Sequence, residues 1–163
     1  MTVAVDKAVD NTEPGASGAS GEVAKPKMAI AIPKEIYPGE CRVAATPETA
    51  KTLQKLGFDV LVEAGAGAAA NFADQAYQEV NCQILSDTAA LWSAADIVLK
   101  VRPPQMNEAL GKHETELLPE GKTLISFLYP AQNPDLLEQL NGRKATAVAM
   151  DAIPRISRAQ KMD

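Results

Sequence analysis

Aromatic side chains make up only 4% of this 163-residue chain, too few for the stacking platforms that hold single-stranded nucleic acid. Positive charge is also scarce. Sixteen lysines and arginines face 21 aspartates and glutamates, a formal charge of −5, the wrong sign for binding a phosphate backbone. Two cysteines, Cys41 and Cys82, and a single histidine, His113, form no metal-ligand spacing and no disulfide framework. No apolar run approaches the roughly 20 residues of a membrane span. No basic stretch followed by a long apolar core marks a secretory signal. A reducing cytoplasmic compartment is therefore expected. What is present is 46% hydrophobic and 23% charged residues, an ordinary globular composition. The length suits one domain with a real core.

Residues 1–27 differ from the rest. NTEPGASGASGEVAKPK is rich in Gly, Ser, Pro and Ala and predicts a disordered leader, with the folded domain spanning residues 28–163. From Met28 onward, apolar runs alternate with segments of helical period. Strands are predicted at Met28–Ile32, Asp59–Val62, Gln83–Leu85, Asp96–Val101, Thr123–Tyr129 and Ala145–Met150. Thr46 and Pro47 open a helix that Gly57 closes. Further helices are predicted over Ala73–Val80, from Asp87 to Ala94, and from Asn133 to about Gly142, with helical pieces in Met106–Leu118. Strands separated by helices imply parallel crossovers. Near-continuous apolar strands imply cover on both faces. The expected fold is an open, doubly wound α/β sheet, mostly parallel, of five to six strands with helices on both faces, Rossmann-like in character. In such sheets ligands sit at the carboxyl ends of the strands.

Several residues at those ends are candidates. Gly65-Ala-Gly67-Ala-Ala-Ala70 follows a strand and fits G-x-G-x-x-A, with Asp87 about 20 residues on. A pyrophosphate site needs a helix starting directly at the loop, whereas Asp74 reads as the cap of a later helix, so a tight turn is the better reading. Lys34, Glu35 and Arg42 flank the first strand's end, and suit a solvated loop, an anionic ligand or a carboxylate bridge holding the loop. Lys100 and Arg102 are expected on opposite faces at the end of an apolar strand. A lysine in a buried run needs a carboxylate or a ligand, so Lys100 is either a structural ion pair or part of a site. His113, in GKHETELL, reads as an exposed helical histidine. The final PRISRAQKMD is polar and follows a strand. It reads as a loop that presents an amide and a fork of donors, or as a frayed tail.

IPKEIYPGECRVAATPETAKTLQKLGFDVLVEAGAGAAANF resembles the N-terminal segment shared by alanine dehydrogenase and the alpha subunit of proton-translocating NAD(P) transhydrogenase. ISFLYPAQNPDLLEQL and AMDAIPRISRAQKMD resemble the transhydrogenase branch in particular. The resemblance implies three positions that separate the branches. Alanine dehydrogenases handle their substrate with an arginine in R-V-A, a lysine in K-V-K-E-P and a histidine in F-L-H. Here these are Arg42, Arg102 and Tyr129. Without the histidine, proton transfer at an amine or carbonyl lacks its natural acid/base. In transhydrogenases the loop matching PRISRAQ-x-x-D approaches the nicotinamide of NAD(H), which places those roles on Arg155, Gln160 and Asp163. Arg42, Lys100, Arg102 and Tyr129 are further candidate cleft residues, and no residue is expected to act as acid or base.

The resemblance also implies an NAD-binding Rossmann domain after Asp163, NADP(H) on a partner subunit, membrane subunits as further partners, a homodimer in the full protein and a peripheral cytoplasmic location. The chain is expected to be a truncated form or fragment, binding NAD weakly or not at all on its own. Two alternatives stand beside this reading: an alanine dehydrogenase-like oxidoreductase and a non-catalytic subunit-interaction module.

Overall fold

The computed structural model describes residues 27–154. The expected leader lies outside them apart from Lys27, and so do Arg155, Gln160 and Asp163. In chain order the strands are β1 (Ala29–Ile32), β2 (Asp59–Glu63), β3 (Gln83–Leu85), β4 (Ile97–Leu99), β5 (Met106–Asn107), β6 (Lys112–His113), β7 (Thr123–Ser126) and β8 (Thr146–Ala149). The α-helices are α1 (Pro47–Lys55), α2 (Asp74–Gln78), α3 (Thr88–Ala94), α4 (Glu114–Leu117) and α5 (Pro134–Gly142). Six strands form one sheet in the order β3-β2-β1-β4-β7-β8, and every neighbouring pair runs parallel. The α/β fold expected from the sequence is the fold observed.

Strand alternation divides the core into two layers. Ala31 and Leu61 join Leu91, Trp92, Val98, Leu124 and Leu136 on one face. Ile32, Val60 and Val62 join Ala50, Tyr77 and Cys82 on the other. Local signals explain the helix starts. Thr46 Oγ1 accepts from Thr49 N at 3.2 Å, and Asp87 Oδ1 accepts from Ala90 N at 3.1 Å, the usual capping geometry.

Four expected elements differ in detail. The strand expected through Val101 ends at Leu99; Lys100 N still donates to Ile125 O of β7 at 3.0 Å, and the amide after it leaves the ladder. Val101 N donates to the Glu35 carboxylate at 2.6 Å. The strand expected to reach Tyr129 ends at Ser126, and Tyr129 adopts φ +48°. Met106–Leu118 is an antiparallel hairpin, β5 and β6, followed by the single turn of α4. Asp74 is the first residue of α2 rather than its cap, because its carboxylate reaches back to an earlier turn.

The strand order reverses between β1 and β4. The chain winds outward from β1 to β3, then returns to the other side of β1 and winds outward again. The loops leaving β1 and β4 therefore diverge and open a crevice at the carboxyl edge of the sheet.

Candidate functional site

Two charged clusters are built where those loops part. In the outer one, Glu40, from the loop after β1, grips two arginines. Its Oε1 accepts from Arg42 Nε at 2.7 Å and from Arg42 N at 3.0 Å. Its Oε2 accepts from Arg42 Nη2 at 2.6 Å and from Arg102 Nε at 2.6 Å. Arg102 comes from the loop after β4, so Glu40 ties the two sides of the crevice together. The Arg102 guanidinium also lies over the Tyr37 ring, 4.6 Å from its centroid, a cation–π contact. The Glu40 side chain is 4% exposed and that of Arg42 58%. The carboxylate is thus covered by its arginines while Arg42 faces solvent.

The Arg42 fork holds the Glu40 carboxyl well below its usual range, against the opposing effect of burial. The same contact raises Arg42, with smaller contributions from Tyr129 and Glu35. A depressed folded pKa adds stability that is present above the unfolded value and lost as pH falls through the folded one. Glu40→Gln is therefore expected to destabilise the chain at neutral pH and to weaken the loss of stability below about pH 4.5. Thermal unfolding as a function of pH checks this. Parallel acid profiles for the variant and the parent would show that the Glu40 contacts are not made.

The inner cluster answers the question posed by Lys100. Its side chain is 0% exposed and those of Glu35 and Glu114 are 2% and 1%. Lys100 Nζ lies 3.3 Å from Glu35 Oε2 and 2.9 Å from Glu114 Oε1. The remaining carboxylate capacity goes to backbone amides. Glu35 accepts from Val101 N and Arg102 N, and Glu114 accepts from Gln105 N at 3.0 Å. Burial pushes the Glu114 carboxyl up, opposed mainly by Lys100. Lys100 is therefore held in a buried ion-pair cluster, the structural one of the two readings the sequence left open. Strand alternation does not oppose Lys100 and Arg102, which turn to different carboxylates, Glu114 and Glu40. Residues two apart share a face in a continuing strand. These two part because the strand has already ended.

The glycine loop is a turn. Asp74 Oδ1 accepts from Gly65 N at 2.8 Å, so a carboxylate already occupies an amide that a phosphate would need. A single 3₁₀ turn, Ala68–Ala70, follows Gly67, and α2 begins only at Asp74. His113 also differs from expectation. It is half-buried and caps α4, accepting from Thr115 N, while Glu116 closes the capping box. Burial lowers its pKa. Lys34 keeps an exposed side chain, while its backbone N donates to Glu63 at 2.7 Å.

Of the candidates, the structure brings Arg42, Arg102 and Tyr129 to one edge of the sheet and removes Lys100 to the interior. Glu40 and Glu114 were missed. Glu40 stands two residues from Arg42, a spacing that signals a local fork. Nothing in the spacing of Glu114 announces its partner. Arg155, Gln160 and Asp163 lie outside the described residues. No helix among the described residues is long and apolar enough to cross a membrane.

A parallel, doubly wound α/β domain with its charged groups at the switch point is the class that fold and site define. The chain belongs to the family described as alanine dehydrogenase/PNT, N-terminal domain, which it matches over residues 31–163. It is 54% identical over 136 residues to the NAD(P) transhydrogenase subunit alpha of Cereibacter sphaeroides, covering 83% of this chain and 25% of that protein. It is 38% identical to the alanine dehydrogenase of Halomonas elongata, covering 77% of this chain and 32% of that one. The crystal structure of transhydrogenase from Sinorhizobium meliloti superimposes with a TM-score of 0.74 at 39% identity, covering 83% of this chain and 38% of that one. The chain thus spans a quarter to two fifths of the length of these relatives.

Proposed function

We propose that this chain is the N-terminal domain of a proton-translocating NAD(P) transhydrogenase alpha subunit and supplies one wall of the cleft for NAD(H). The observation that carries this reading is Tyr129, standing past the carboxyl end of β7 where the other branch has a histidine. An amino-acid dehydrogenase needs an acid/base at the reacting carbon, and a phenol exchanges protons poorly near neutral pH. Hydride exchange between two nicotinamides requires no such group.

The fit to the cofactor is partial. The edge that carries Arg42 and Tyr129 suits one wall of a cleft. The Gly65 loop does not suit the pyrophosphate, so those contacts fall to an NAD-binding domain beyond this chain. The reduced nicotinamide, when bound, supplies the hydride. The chain's task is positioning and exclusion of water. Gln160 would contact the ring, and Arg155 and Asp163 would steady the loop and the carboxamide. NADP(H) would sit on a partner subunit, with the membrane subunits carrying the proton. The domain would lie on the cytoplasmic side, peripheral to the membrane, in a homodimeric alpha subunit.

Three measurements test this. NADH titrated calorimetrically into the isolated chain is expected to show no micromolar binding, and micromolar affinity would overturn the one-wall arrangement. In the alpha subunit that carries this domain with its NAD-binding domain, assembled with the NADP(H)-binding partner subunit, Gln160→Ala is expected to lower hydride transfer from NADH to NADP by roughly 100-fold, the scale of a small misplacement of reacting groups. Turnover of that subunit with pyruvate and ammonia would instead favour the alanine dehydrogenase reading.

A further inference from the structure

His113 is the only histidine in the chain and has no part in the proposed cleft. It ends β6, opposite Met106 of β5, and stands at the start of α4. Its Nδ1 accepts from Thr115 N at 3.3 Å. Thr115 Oγ1 lies 2.7 Å from the same Nδ1 and 2.8 Å from the side-chain amide of Gln139 on α5. Thr115 is 3% exposed, too buried for water to replace these partners.

One hydrogen decides how this chain of bonds runs. A hydroxyl carries a single hydrogen, and an imidazole nitrogen either carries one or accepts one. With Nδ1 bare, Thr115 N and Thr115 Oγ1 both donate to it. Gln139 then turns its NH2 toward the hydroxyl, the two ends of an amide having nearly the same shape. With a hydrogen on Nδ1, the ring donates to Thr115 Oγ1 and the hydroxyl donates to Gln139 Oε1. The Thr115 amide is then left without its acceptor. Only the first setting satisfies this buried amide, and an unmade bond there is costly. It puts the ring hydrogen of the neutral form on Nε2. That nitrogen meets no partner among the described residues. It is not sealed in, since Trp92 Nε1 is the one buried side-chain nitrogen or oxygen there without a partner.

The charges around the ring are of both signs. Glu116 acts on it from α4. Asp135 of α5 and Arg143 at that helix's end line the grooves that the ring borders. Lys112 precedes it on β6, and Glu114, the next residue, turns inward to Lys100. The partner strand β5 and helix α3, which packs on α4, carry no charged residue. Burial outweighs Glu116 and lowers the ring's pKa.

We propose that His113, Thr115 and Gln139 form a proton-operated latch: with Nδ1 bare it fastens the start of α4 to the hairpin and to α5, and a proton on Nδ1 reverses the chain of hydrogen bonds and releases the Thr115 amide. The latch adjoins the Lys100 cluster through Glu114, which stands between His113 and Thr115. It is independent of the NAD(H) reading.

NMR titration of the isotope-labelled chain tests it, and a single histidine makes the ring signals unambiguous. Long-range hydrogen–nitrogen spectra near pH 8, well above the ordinary histidine range, are expected to show the hydrogen on Nε2. A hydrogen on Nδ1 there overturns the proposal. On acidification the ring is expected to titrate below 6.5, with the Thr115 amide shift following the same midpoint. A midpoint at or above 6.5, or a Thr115 amide that does not follow, overturns it. Protection of that amide, corrected for the intrinsic exchange rate, is expected to fall about fivefold once the ring is charged, the scale of a lost cap. Unchanged protection overturns the proposal. His113→Asn supplies a capping oxygen that does not titrate and is expected to hold the protection constant over the same range. A fall of equal size in that variant would assign the effect to another group and overturn the latch.

Discussion

Lys100→Met is expected to lower the unfolding free energy by about 3–5 kcal/mol at neutral pH, the cost of removing one partner from a buried ion pair. Methionine approximates the lysine stem, so little packing is lost. What is lost is the charge between Glu35 and Glu114, whose side chains have almost no access to water. Both carboxylates would still accept their backbone amides, and neither would have a cation within its contact shell. Glu114, which burial already pushes up, would then rise further and take a proton more readily. A carboxyl raised in the folded state costs stability as pH climbs from its unfolded value through its folded one. The variant should therefore be least impaired near pH 4 and most impaired near pH 7, each about as stated. Adding Glu114→Gln removes the stranded charge and should recover part of the loss. Urea unfolding at the two pH values measures all of this. A loss below about 1 kcal/mol, typical of an exposed pair, would mean that water reaches Lys100.

Gly67→Ala is expected to destabilise the fold by about 1–3 kcal/mol. A Cβ at this position would lie 2.7 Å from the backbone oxygen of Phe72, 2.8 Å from the Tyr77 ring and 2.9 Å from Phe72 Cβ. None of these neighbours yields easily. Tyr77 is fully buried, its hydroxyl donates to Ala45 O at 2.9 Å, and burial pushes its pKa up to about 12. Gly65→Ala meets open space but sits at φ +73°, a conformation that costs an L-residue about 1–2 kcal/mol. Both losses would appear in thermal unfolding. If the loop were a nucleotide cradle, these glycines would act on affinity, but its geometry makes them act on folding. A Gly67→Ala chain as stable as the parent would show that the turn is looser than described.

The alternation of strands and helices follows from signals within a few residues of each other. Thr46 with Pro47 and Asp87 with Ala90 are local cap arrangements, and the apolar runs of β1 and β2 announce strands covered on both faces. Even where the bounds slipped, the element was usually right. The loops resisted local reading. Met106–Leu118 carries helical spacing but forms a hairpin and one turn, because Glu114 is drawn inward to Lys100. Tyr129 was placed in a strand because nothing nearby reveals that Asp151 takes its amide.

The fold class and the order of strands and helices were set by the amino-acid order, since helix caps, apolar period and turn residues act between near neighbours. Which charge meets which was settled in the folded chain alone. Arg102 meets Glu40 across 62 residues, Val101 meets Glu35 across 66, and Leu128 meets Asp151 across 23. No local rule spans such distances. They close because neighbouring strands run parallel, β1 beside β4 and β7 beside β8, which brings distant loops to the same edge of the sheet.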